Sequence, residues 1–159
     1  MSRLKEYIVT ERSVRHTTFV IERTYGASPA RVFAAWADPE AKAQWFPKAD
    51  EFDFRVGGRE FNRGSHEGAI YTYDAYYQDI VPGQRIVYTY SMDRDETRIS
   101  ISVTTVEIKE AATGTLLLYT EQGAFLDGED RPEDREHGTK IFLDALGEVL
   151  QRESFSDER

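Results

Sequence analysis

Only one stretch of this chain has the spacing of a long helix, and it comes after everything else. Over residues 132–152, Gly138, Ile141, Phe142, Ala145, Leu146, Val149 and Leu150 recur at three- and four-residue intervals as a single apolar stripe. Glu136, Lys140, Asp144, Glu148 and Arg152 fall on the opposite face. Asp130-Arg131-Pro132-Glu133 just ahead has the pattern of a capping box. Residues 50–125, by contrast, largely alternate with a period of two. A twisted antiparallel sheet has a face to cover, and only one helix here is long enough to cover it. The expected fold is therefore α+β: a curved antiparallel sheet of six or seven strands wrapped around a long C-terminal helix.

The order of the smaller elements follows from local signals. Residues 17–25 read as an opening strand. Ser28-Pro29 and Asp38-Pro39 each place a capping side chain before a proline at the first helical position, which starts two short helices. Phe52 and Phe54 alternate with charged residues, and Gly57-Gly58 turns the chain into residues 59–63. Residues 70–80 form a tyrosine-rich strand, turned by Pro82-Gly83 into residues 85–92, where Ile86, Tyr88, Tyr90 and Met92 share one face. Residues 98–109 and 115–125 make a further hairpin. In its first strand Ile99, Ile101 and Val103 are out of phase with Val106 and Ile108, which a bulge near Thr104-Thr105 would reconcile. A single domain over residues 15–153 is expected, with a loose arm at 1–14 and an acidic tail at 154–159.

Charge and composition exclude several functions. A net charge of −9 opposes nucleic-acid binding, which needs a concentrated positive face. There are no cysteines, so neither a disulfide framework nor a thiolate metal site is possible. His16, His66 and His137 share no metal-binding spacing, and neither a metal nor a cofactor is expected. No apolar run is long enough for a membrane span and no leader pattern opens the chain, so a cytoplasmic location is expected. No nucleophile elbow or phosphate loop occurs.

Aromatic residues make up 13% of the chain, and a concave sheet rich in such large rings seldom fills its own hollow. The expected pocket for a small apolar molecule lies between Phe52, Phe54, Tyr73, Tyr88, Tyr90, Met92 and Tyr119 on the sheet and Ile141, Phe142 and Ala145 on the helix. Two residues in that region have the chemistry for catalysis. Glu121 is in phase with Leu117 and Phe125, so it is either a carboxylate among inward-facing rings or the partner of Arg98 or another arginine on the adjacent strand. His137 is in the first turns of the last helix, where it either borders the cavity mouth or is a helix residue at the surface. Strand tyrosines would serve mostly as wall, with one or two hydroxyls available to a ligand.

The segments that set this order also resemble a known family. They are Ser28-Pro29-Ala30-Arg31-Val32-Phe33-Ala34-Ala35-Trp36, Asp38-Pro39-Glu40 with Trp45-Phe46, Asp53-Phe54-Arg55-Val56-Gly57-Gly58, residues 82–90, Gly114-Thr115-Leu116, residues 119–128 and Leu143-Asp144-Ala145-Leu146. Together they resemble the branch of the START/birch-pollen-allergen (SRPBCC) superfamily that holds homologues of the activator of heat-shock-protein ATPase, also labelled polyketide cyclase/dehydrase-like. The resemblance spans roughly residues 17–152 and implies the helix-grip fold with a cavity between helix and sheet. Many relatives have a Gly-Trp pair early in the last helix, where this chain reads His137-Gly138-Thr139. The missing tryptophan implies a larger or reshaped end of the pocket.

Three functions follow as expectations. The first is binding of a small hydrophobic or aromatic molecule for carriage, sequestration or sensing. The second is a cyclase- or hydrolase-type enzyme using Glu121 or His137 with a tyrosine. The third is a protein-interaction role, as in a co-chaperone; a homodimer is also open.

Overall fold

The computed structural model describes residues 11–157. Its elements run β1 (Val14–Tyr25), α1 (Pro29–Ala37), α2 (Pro39–Lys42), β2 (Glu51–Phe52), β3 (Arg59–His66), β4 (Ala69–Val81), β5 (Arg85–Arg94), β6 (Thr97–Ala111), β7 (Gly114–Leu126) and α3 (Pro132–Asp157). The seven strands form one antiparallel sheet in the order β1-β7-β6-β5-β4-β3-β2. The sheet curves around α3 in the helix-grip arrangement. Residues 1–10 of the expected arm lie outside the described residues, whereas Val14 already pairs with Leu126. Helix α3 continues to Asp157, past the expected end at residue 152.

The local signals act as their chemistry requires. Ser28 Oγ accepts from Arg31 N–H, and Asp38 Oδ1 accepts from Glu40 N–H, each ahead of a proline in the first helical turn. Gly58 is needed for close approach: a Cβ there would fall 2.0 Å from the Asp53 carbonyl oxygen. Tyr25, at the end of β1, ties the sheet to the middle of α3 by donating to the Leu143 carbonyl oxygen at 2.8 Å.

Three expectations about phase are corrected. There is no bulge at Thr104-Thr105; the register shifts at Met92/Asp93, leaving Ile99 unmatched. Ser100, Ser102 and Thr104 continue the inward face of Val106 and Ile108, while Ile101 and Val103 face out. Ser100 and Ser102 are inside because they have charged partners there, described below, whereas Thr104 Oγ1 is buried without a hydrogen-bond partner. Secondly, the buried line of α3 is Thr139, Leu143, Leu146, Val149 and Leu150, with Phe142 and Ala145 half-buried and Ile141 56% exposed. Thirdly, Asp130 does not cap the helix by reaching forward to its third residue. One of its oxygens accepts from Arg131 N–H and the other from Arg135 Nη2 at 2.8 Å.

Candidate functional site: an aromatic cavity between sheet and helix

Inward-facing residues of β4, β5 and β7 and the facing side of α3 leave a cavity of about 670 Å³. Its depth is lined by Trp36 from α1, Trp45 from the turn after α2, and Tyr73, Tyr88, Tyr90 and Tyr119 from the sheet, all buried. These rings hold one another in fixed geometry. Trp36 and Trp45 meet edge to face at 4.7 Å, and Tyr73 and Tyr90 lie 4.9 Å apart. Phe46 joins the two sides, 5.4 Å from Tyr73 and 5.0 Å from Phe142. The rim carries exposed residues: Pro47 after α2, Ser65 and His66 at the end of β3, and Ile141 on α3.

Of the residues expected in the wall, Tyr73, Tyr88, Tyr90, Met92, Tyr119, Ile141 and Phe142 line this cavity. Phe52, Phe54, Glu121, His137 and Ala145 do not. Phe52 and Phe54 sit by the outermost strand, β2, where they stack on each other at 6.3 Å and meet Tyr77 and Phe33 in a separate cluster. His137 is exposed, because the helix turns its neighbours Gly138 and Thr139 to the cavity instead. Ala145 lies beyond the last helical residues that reach the hollow, Phe142 and Leu143. Sequence reasoning missed Trp36, Trp45, Asn62, Arg135 and Gly138 as wall.

Glu121 lies behind the wall, fully buried, and its oxygens are occupied. Tyr90 and Ser102 donate to Oε2 at 2.7 and 2.8 Å, and Tyr119 donates to Oε1 at 2.9 Å. Its cation is Arg135 at 3.4 Å, not Arg98, which pairs with Asp93. Arg135 is itself spread over several acceptors: Tyr90 Oη at 2.7 Å, Ser100 Oγ at 2.8 Å and Asp130 Oδ2 at 2.8 Å. The inward serines of β6 are thus ligands of a buried ion cluster. A second buried pair joins Lys42 Nζ to Glu60 Oε1 at 2.7 Å, with Tyr77 donating to the same oxygen. The Lys42 ammonium also sits 5.3 Å from the ring of Trp36 and 4.8 Å from that of Phe46.

Burial pushes the hydroxyls of Tyr73, Tyr88, Tyr90 and Tyr119 above the ordinary phenol value. In the unfolded chain each ionises near pH 10, about the ordinary value. The stability held in their protonated form is complete below that pH and is lost as pH rises toward the folded values. In an alkaline titration, phenolate absorbance from these four is expected to appear together with the loss of ellipticity. Ionisation of all nine tyrosines of the chain while the fold persists would contradict their burial.

Among the described residues, no group of three or more His, Asp or Glu side chains is placed to hold a metal, and no helix is long and apolar enough to cross a membrane.

The family model described as activator of Hsp90 ATPase homolog 1-like protein matches residues 26–151. Among solved structures, an uncharacterised protein from Rhizobium leguminosarum is 48% identical, with a TM-score of 0.85 over 90% of this chain and 99% of its own. Mll3558 from Rhizobium loti is 49% identical, with a TM-score of 0.82 over 86% of this chain and 99% of its own. CalU16 from Micromonospora echinospora shares the fold at 22% identity and a TM-score of 0.63, over 92% of this chain and 88% of its own. Comparison with curated proteins returns no match.

Proposed function

We propose, for a chain that belongs to the activator of Hsp90 ATPase homolog 1-like family, that its cavity holds one small apolar or aromatic molecule for carriage, sequestration or sensing. The observation that supports this most is the hollow itself. At about 670 Å³ it falls within the roughly 300–1,000 Å³ of small-molecule sites. Its depth is nearly all aromatic ring, so each Å² of apolar ligand surface removed from water contributes about 25 cal/mol before the costs of association.

The enzyme alternative lacks a converging pair. Glu121 is occupied by three hydroxyls and Arg135, and His137 is exposed and outside the wall. General acid–base work needs a free group within reach of the ligand. The co-chaperone alternative rests on the family alone.

Native mass spectrometry of freshly purified protein, followed by a thermal-shift screen of apolar compounds, tests the proposal. A ligand at a hundredfold excess over its Kd is expected to stabilise the fold by about 2.7 kcal/mol. No retained mass, together with no shift from any apolar compound, would count against it.

A further inference from the structure

The cavity occupies one face of the sheet, and the opposite face has a composition of its own. Four neighbouring strands each turn three side chains outward there, at alternate residues. On β1 they run from His16 to Val20, on β7 from Thr120 to Ala124, on β6 from Ile101 to Thr105 and on β5 from Val87 to Ser91. The pairing register aligns them in three rows, the middle one being Thr18, Gln122, Val103 and Thr89. All twelve, three on each of four strands, are exposed or half-buried, whereas seven of the eight residues between them are buried. Val20 is 58% exposed, Ile101 48% and Val103 39%.

None of the twelve carries a carboxylate, ammonium or guanidinium group, in a chain whose residues are 31% charged. Surface that stays in water is usually mixed in charge. Depletion of charge at the centre of a patch is instead the mark of a surface that another protein covers. Eight of the twelve are Val, Ile or Thr, the side chains that suit packing of one sheet on another. Ala124 is small beside its neighbours and leaves a shallow hollow of about 480 Å³, bordered by His16, Thr18, Ile101 and Val103, where a side chain from outside can seat. The net charge of −9 selects the occupant. A basic partner is drawn to the carboxylates elsewhere, not to a face that has none. Two copies repel through the acidic parts of their surfaces and least through this one. With the positions that border it on the same strands and on β4, the face amounts to about twenty residues, the size of one side of a stable interface. A two-fold interface must complement itself, and hydroxyls that both donate and accept, set among β-branched side chains, meet that requirement.

We propose that two copies of this chain associate through this outer face, sheet against sheet about a two-fold axis. The cavity lies on the other side of the sheet, so each protomer keeps its own pocket open. Neither the face nor its occupant depends on what the cavity holds.

Sedimentation velocity of the full chain at micromolar concentration tests the proposal. A species of twice the 18.3 kDa chain mass is expected. Val103→Lys puts an ammonium at the centre of both faces and is expected to weaken association about a hundredfold, leaving monomer at the same concentration. Gln84→Lys adds the same charge in the exposed turn between β4 and β5 and is expected to leave the dimer intact. Thr18→Lys, on the edge strand, carries the test should Val103→Lys lose the circular dichroism spectrum of the wild type. In about 1 M salt the dimer is expected to persist, because no ion pair holds it. A wild-type monomer overturns the proposal. A dimer that survives both lysines within the face, or that salt dissociates, overturns it equally.

Discussion

Replacing Arg135 by leucine is expected to destabilise the fold by about 3–5 kcal/mol, the usual cost of stripping one partner from a buried ion pair. For a chain of this size that is a fall in Tm of roughly 6–20 °C. The reason lies in what Arg135 leaves behind. Its side chain is 10% exposed and that of Glu121 is 0% exposed, so water does not replace the lost cation. Tyr90, Ser100 and Asp130 each lose a hydrogen bond at the same time. The double variant Arg135→Leu/Glu121→Leu is expected to recover a large part of the loss, since both charges then go together. Urea unfolding of the two variants against wild type measures both effects. A single variant as stable as wild type would show that the cluster contributes nothing to the fold.

The Arg135–Glu121 cluster also shows where sequence reading stopped. The helix-grip architecture was legible because α3 carries the one long apolar stripe and the strands alternate clearly. Glu121 could be placed on an inward face by its phase with Leu117 and Phe125. Its partner could not, because the guanidinium comes from α3, packed over the sheet, rather than from the neighbouring strand. A signal existed: Arg135, Thr139, Phe142 and Leu146 are spaced as one helical face. Choosing Ile141 for that face instead turned the helix and brought His137 inward with it. The inward Ser100, Ser102 and Thr104 were obscured in the same way, since alternation alone assigns the interior to Ile101 and Val103. For Ser100 and Ser102, only the charges on facing elements reverse that choice. Phe52 and Phe54 misled for another reason. Their alternation is real, but β2 is two residues long and at the sheet edge, too far out to reach the hollow.

Gly138→Trp is expected to lower ligand affinity by about a hundredfold, the equivalent of the 1–3 kcal/mol cost of overpacking, without loss of stability. Gly138 lines the cavity, and a Cβ built on it meets nothing within 4 Å. A side chain there has room to grow, and that room is the ligand's. The backbone gains instead of losing, because glycine inside a helix costs about 0.5–1 kcal/mol relative to alanine. Stability and binding thus move in opposite directions, which a merely damaged protein does not show.

The most direct measurement is therefore equilibrium dialysis of the apolar compound that raises Tm most in the thermal-shift screen, against the wild-type chain and the Gly138→Trp variant, with Tm recorded for both. One saturable site per chain in wild type, lost in a variant whose Tm is equal or higher, is the predicted result. Equal binding by both proteins, or no binding by wild type, would contradict a ligand held between the helix and the curved sheet.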